Sequence, residues 1–98
     1  MTIDKTFQDK ALTVKIGGRL DTTTAPELEE ELKKSLDGIS ELTLDLDELT
    51  YCSSAGLRVL LAAQKTMNAQ GSMKLINVRE EIMEIFEVTG FSDILTIE

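Results

Sequence analysis

The stretch Leu42-Thr-Leu-Asp-Leu-Asp-Glu-Leu-Thr-Tyr-Cys-Ser-Ser-Ala-Gly-Leu-Arg-Val-Leu-Leu-Ala-Ala-Gln-Lys-Thr-Met-Asn-Ala69 changes its hydrophobic period partway along, and that change sets the fold class. Leu42, Leu44 and Leu46 alternate with Thr43, Asp45 and Asp47, the period-2 pattern of a strand with one buried face. From about Ala55 the residues Leu57, Leu60, Leu61 and Met67 recur at helical spacing, with Val59 and Ala63 beside them. Between strand and helix stands Tyr51-Cys52-Ser53-Ser54-Ala55-Gly56, small and hydroxyl-rich where a helix must begin. The function is expected there.

Upstream, residues 2 to 9 alternate weakly, as an edge strand does, and Leu12, Val14 and Ile16 alternate better; Gly17-Gly18 is expected to end that strand. Arg19 to Thr24 reads as a polar loop. Thr24 followed three residues later by Glu27 matches a capping box, and Pro26 is tolerated in a first helical turn because the amide it lacks has no partner there. Leu28, Leu32 and Leu36 then form one narrow apolar stripe, with Glu29, Glu30, Lys33 and Lys34 covering the rest, and Gly38 supplies a left-handed residue at the end. The Glu29 to Glu31 run reads as solvated surface, and Asp45 and Asp47 as the outer face or exit turn of their strand.

Downstream of the central helix, which ends near Gln70-Gly71, Met73 to Val78 reads as another strand. Arg79 to Val88 is a short helix with Ile82, Ile85 and Phe86 inward, closed by Gly90, and Phe91 packs back on its last turn. Ile94, Leu95 and Ile97 form a last short strand or a tail laid on the domain. The order strand, strand, helix, strand, helix, strand, helix, with connections long enough for parallel crossovers, is α/β, and the alternating strands place the helices mainly on one face.

Composition narrows the function. At 98 residues one compact domain is expected, able to bury roughly 60 to 65 % of its unfolded surface. A formal charge of −8, with ten scattered basic residues, argues against a nucleic-acid surface. Zero His and one Cys leave no zinc ligand set and no internal disulfide, so no metal, no cofactor and a reducing compartment are expected. No apolar run reaches the ~18 residues of a membrane span, and the N-terminus lacks the pattern of a signal peptide, which predicts a cytoplasmic protein without direct membrane insertion.

Gly18-Arg19-Leu20-Asp21, the Leu-Asp-Leu strand, Ser53-Ser54-Ala55-Gly56-Leu57 and Gly90-Phe91, in this order and spacing, resemble a STAS domain, most of all the bacterial anti-sigma-factor antagonists. The resemblance covers residues 2 to 98 and implies a single STAS-like domain over 1–98, with a mixed four- to five-stranded sheet and three or more helices mainly on one face. It also implies partner switching. In that family a partner that is both anti-sigma factor and serine kinase phosphorylates a serine at the start of the second helix; the unphosphorylated antagonist binds it and frees sigma, and a serine phosphatase reverses the mark. Matched residue by residue, the acceptor position falls on Ser54. Two departures stand beside it: Ser53 occupies the family's acidic position, and Ala55 follows the acceptor.

The residues support such a site on their own chemistry. Ser54, Arg58, Ala62, Lys65 and Ala69 fall along one side of the helix at ~100° per residue, a low ledge with two positive charges. Asp21, Thr22 and Thr23 belong to a loop expected at the same end of the sheet. A phosphate on Ser54 would sit at a helix N-terminus, with Arg58 one turn on, so its effect is expected on an interface rather than on the fold. The partner-binding set is therefore Asp21, Thr22, Thr23, Ser53, Ser54, Ala55, Arg58, Ala62 and Lys65.

Other readings compete. Ser53 or Ser54 can serve as a helix N-cap alone, and Asp21 can cap a turn. Cys52 reads as a small buried residue, since no His is present to activate it. A hydrolase built on Ser54 or Cys52 lacks a base, and the G-x-S-x-G elbow fails because Cys52 stands where glycine is needed. Not an enzyme is the expectation. Within the family the rival is a STAS subunit that docks on the cytoplasmic side of a membrane transporter.

Overall fold

The strand Ala11–Leu20, here β2, is the axis of the sheet in the computed structural model, which describes all of residues 1–98. Thr2–Gln8 (β1) pairs with it antiparallel across a turn in which Asp9 has φ +55°. On its other side β2 meets two parallel partners in succession. Glu41–Asp45 (β3) runs along Ala11 to Lys15, and Leu49–Cys52 (β4) along Gly18 to Leu20. Ser72–Ile76 (β5) adds parallel to β3, giving the order β1-β2-β3-β5 with β4 beside β2. Three helices, Ala25–Ser35 (α1), Ser54–Gln70 (α2) and Glu80–Thr89 (α3), and a 3-10 turn at Phe91–Asp93 complete the chain. No helix is long and apolar enough to cross a membrane.

Alternation along the strands decides which face the helices cover. Leu12, Val14, Ile16, Leu42, Leu44 and Leu75 are buried to within 1 % of full burial, while Thr13, Lys15, Thr43 and Asp45 between them stay open or half-open. Leu28 and Leu32 of α1, Leu57, Leu60 and Met67 of α2, and Ile82 and Phe86 of α3 join those strand residues in one core. Each such side chain contributes about 1.5–3 kcal/mol on burial, which fixes the helices to a single face. The α/β architecture is the one expected, and five strands fall within the mixed four- to five-stranded sheet that the family resemblance implies, although the fifth is β4 rather than a C-terminal strand.

Several local expectations are corrected. Gly17-Gly18 does not end β2: pairing with β3 stops at Lys15, and the strand runs on through Gly18, at φ +87°, to pair with β4 as far as Leu20, with a shift of register between Gly18 and Arg19 that leaves Thr50 of β4 unpaired. Arg19 and Leu20 are therefore strand, not loop. The capping box at Thr24 does not form: the Thr24 side chain makes no cap to α1 and bonds instead to Arg19 and Asp21. Leu49–Cys52 is a strand that the hydrophobic pattern does not announce, because its burial follows no alternation. Glu31 is not a freely solvated charge; it meets Lys5 of β1 at 2.7 Å. The C-terminal tail is a 3-10 turn followed by a single parallel bridge, Leu75 with Ile97.

Candidate functional site

Four short segments converge at the end of the sheet where β2 and β4 finish. The Ser53 amide donates to the Leu20 carbonyl at 2.8 Å, so the last residues of the two parallel strands are tied together as their chains leave for α1 and α2. The loop Asp21 to Thr24 and the start of α2 therefore share one end of the molecule, as parallel crossovers require. Gly56 lets α2 approach this closely. A Cβ on it would lie 2.7 Å from Leu20 Cγ and 3.0 Å from Cys52 Sγ, inside van der Waals contact.

Ser53 is the N-cap of α2: its backbone is extended (φ −88°, ψ 175°) and its Oγ accepts from the Gly56 amide at 3.3 Å. This hydroxyl is half-buried and committed. Ser54, the first residue of the helix, is exposed and its hydroxyl has no partner in the protein. The two neighbouring serines thus divide the work, one holding the helix start and the other presenting a free hydroxyl beside unpaired first-turn amides. Ala55 is half-buried behind them. Cys52 is 3 % exposed, and burial pushes its thiol up to about 11, so it is a protonated packing group at neutral pH rather than a nucleophile.

The opposite wall of the site is a folded loop. Asp21 Oδ1 accepts from the Thr23 amide (3.0 Å), the Thr24 amide (3.1 Å) and the Thr24 hydroxyl (3.2 Å), while the Asp21 amide donates back to Thr24 Oγ1 at 2.9 Å. The Thr24 amide above all, with the Thr23 amide, the Thr24 hydroxyl and the charge of Arg19, holds the Asp21 carboxyl below its ordinary value, against an opposing effect of burial. Asp21 does cap a turn. By doing so it holds Thr22 and Thr23 outward, both exposed.

Two side chains that sequence reasoning did not place belong here. Arg19 lies with its Cζ 4.2 Å from the centroid of the Tyr51 ring and its Nε 3.7 Å from Asp21 Oδ2. The register that sets Arg19 opposite Tyr51 turns both away from the helices, since Leu20 and Cys52, one residue on, are buried. Tyr51 and Arg19 thereby brace the Asp21 loop against the strand that leads to Ser53. The only cue in the sequence was Arg19 within Gly18-Arg19-Leu20-Asp21; its partner comes from a strand far along the chain.

Along α2, Ser54, Arg58, Ala62, Lys65 and Ala69 are all exposed, while Leu57, Leu60 and Met67 are buried, so the ledge exists as its spacing predicts. Beside it runs a seam between α1 and α2. Its upper part, about 220 Å³, lies among Thr22, Pro26, Ala55 and Arg58; its lower part, about 480 Å³, lies among Leu32, Leu36, Ala62 and Ala63, and Glu29 and Val59 line both. The structure thus brings Asp21, Thr22, Thr23, Ser53, Ser54, Ala55 and Arg58 to one end, with Ala62 and Lys65 further down the same helix. No group of three or more Cys, Asp or Glu side chains is gathered in a way that could hold a metal ion.

A family model described as STAS domain matches residues 2–98. An anti-sigma-B factor antagonist of Staphylococcus aureus is 34 % identical over 99 residues, spanning 99 % of this chain and 92 % of that protein. The crystal structure of an anti-sigma factor antagonist from Mycobacterium paratuberculosis superposes with a TM-score of 0.87 at 22 % identity, covering 98 % of this chain and 83 % of that one. The Bacillus cell fate determinant SpoIIAA in its phosphorylated form gives 0.76 at 13 % identity, covering 99 % and 91 %. At these identities the two structures speak to the fold alone.

Proposed function

The chain belongs to the STAS domain family, and from that premise we propose that it is an anti-sigma-factor antagonist working in the cytoplasm and switched by phosphorylation of Ser54. The observation that carries this reading is the 34 % identity, over 99 % of this chain and 92 % of the relative, to a protein named as an anti-sigma-B factor antagonist. In its unphosphorylated form the chain binds an anti-sigma factor that is also a serine kinase, through the Asp21 to Thr23 loop, the Ser53 to Ala55 segment and the α2 ledge of Arg58, Ala62 and Lys65. Binding withdraws the anti-sigma factor from sigma. Phosphorylation of Ser54 ends the complex, and a serine phosphatase restores it.

The local chemistry supports Ser54 over Ser53 as the acceptor. A kinase must reach a hydroxyl free to attack; that of Ser54 is exposed and unpaired, whereas that of Ser53 is half-buried and bound to Gly56. A phosphate on Ser54 adds about −1.5 to −2 charges where the helix dipole and free amides favour an anion, so the fold tolerates it. On the ledge the same dianion must be desolvated under a partner. A penalty of about 3 kcal/mol there exceeds a hundredfold in affinity.

Phosphopeptide mapping tests the proposal. The chain is incubated with ATP and lysate of its own host, with Ser54→Ala in parallel. One phosphate confined to Ser54 and absent from the variant is expected; a phosphate on Ser53, or none while another host kinase is active, contradicts it.

A further inference from the structure

One edge of the sheet is left open. β1 ends the order β1-β2-β3-β5, whereas on the opposite side β5 is met by the tail, whose Thr96 carbonyl and Glu98 amide bond to Leu75. Gln8 pairs with Ala11 across only two residues, a spacing at which the pair must exchange both of its backbone bonds. Alternation then sets the rest: Thr2, Asp4, Thr6 and Gln8 bond to β2, and the amides and carbonyls of Ile3, Lys5 and Phe7 point away from it. No turn, loop or tail supplies a partner to those outward groups.

The strand has little of what keeps edges apart. Its seven residues include no proline or glycine, and its pairing runs without a bulge. Lys5 is its only cation, and α1 draws it inward: Nζ lies 2.7 Å from Glu31 Oε2 and 3.2 Å from Ser35 Oγ. Phe7, opposite the buried Leu12 on the helix-bearing face, is 55 % exposed.

We infer that this edge receives the same edge of a second copy, joined antiparallel about a two-fold axis at Lys5, so that two sheets become one. The symmetry keeps each face with its like, so the register must be centred on a residue. Centring on Lys5 pairs all seven residues and gives six backbone bonds, from Lys5 with Lys5 and from Ile3 with Phe7 on either side. Centring on Asp4 or Thr6 pairs five residues with four bonds, and the Asp4 centre also sets two carboxylates face to face. In the Lys5 register Phe7 of each copy covers Ile3 of the other, and Asp4 meets Thr6 on the open face. The facing Lys5 side chains each bring their own Glu31, so two neutral ion pairs meet rather than two free cations. α1 stands between β1 and α2, which leaves the Ser54 end of both copies open. The dimer does not depend on the antagonist reading.

A seven-residue edge is a small contact, so the dimer is weak and its population follows concentration. Sedimentation equilibrium of the full chain from about 10 μM to about 1 mM, with amide exchange followed residue by residue, tests it. The mass is expected to climb from one chain toward two. At the high concentration the Ile3, Lys5 and Phe7 amides are expected to exchange about fivefold more slowly, a larger change than at Thr2, Asp4, Thr6 or Gln8. Phe7→Glu, at an exposed side chain, is expected to keep the chain monomeric with an unchanged melting temperature. Lys5→Pro, which removes an outward amide and no bond to β2, is expected to do the same to the mass. A chain that stays monomeric throughout overturns the inference. So does a dimer that survives Phe7→Glu, or exchange in the unsubstituted chain that slows on another surface and not at these three amides.

Discussion

α1 and α2 lie side by side on the same face of the sheet and treat their charges in opposite ways. On α1, Lys33 meets Glu29 at 3.2 Å and Lys34 meets Glu30 at 3.7 Å, each pair one turn apart, while Glu31 reaches across to Lys5. On α2, Arg58 and Lys65 form no ion pair, and their own helix carries no acidic residue. Paired surface charges keep a helix soluble and contribute little else; unpaired ones on an acidic molecule create a local field that another molecule can complete. The first arrangement suits a solvated face, and the second suits the partner-binding face proposed for α2. That Ser54, the Asp21 loop and the deeper seam all adjoin α2 fits the same division.

Making α2 resemble α1 is the strongest way to break the comparison. Ala62→Glu places a carboxylate one turn from both Arg58 and Lys65 and fills the ledge. It is expected to weaken the anti-sigma complex more than a hundredfold, about 3 kcal/mol, while leaving the melting temperature unchanged or slightly raised. Undiminished binding by this variant would show that the free cations serve no interface.

Next in size is Gly56→Val. The branched side chain has no room against Leu20 and Cys52, so α2 must shift, and a loss of about 2 kcal/mol is expected by urea denaturation. This variant sharpens the comparison because it displaces the whole ledge without touching a charge. Arg19→Ala should cost less, about 0.5–1 kcal/mol, by removing the stack on Tyr51 and the contact with Asp21. Its specific signature is faster hydrogen exchange at the Thr23 and Thr24 amides.

The Asp21 loop also predicts a pH dependence. The folded carboxyl titrates below its ordinary value of 3.8, so its contribution is fully present above that value and is lost as the pH falls through the lowered folded value. Stability measured from neutral to acidic pH should therefore fall less steeply at its acid end in Asp21→Asn than in the parent chain. The smallest effect is expected of Lys33→Gln on α1: within about 0.5 kcal/mol in stability, and no change in partner affinity.

Much of this arrangement is legible in the residues. Leu42, Leu44 and Leu46 announce a half-buried strand, and Leu57, Leu60 and Met67 a helix whose opposite side must carry Ser54, Arg58, Ala62 and Lys65. Where reading failed, tertiary partners overrode local pattern. Gly17-Gly18 looks like a terminator, yet β2 runs through both glycines into its pairing with β4. Thr24 and Glu27 have capping-box spacing, but Arg19 and Asp21 take the threonine hydroxyl first. β4 is four residues long with buried ends and an exposed middle, a pattern with no period to detect. The Arg19–Tyr51 stack joins residues whose proximity depends on that unread strand. The free state of Arg58 and Lys65 is likewise a property of the whole surface, since it depends on where every carboxylate comes to rest.

Ser54 is proposed to switch an interface without altering the fold. Calorimetric titration of the host's anti-sigma factor with the unmodified chain and with the chain carrying phosphoserine at position 54, alongside the melting temperature of each, tests it most directly. The account predicts a more than hundredfold lower affinity for the modified chain at nearly equal melting temperatures. Equal affinities, or an affinity loss matched by partial unfolding, would contradict it.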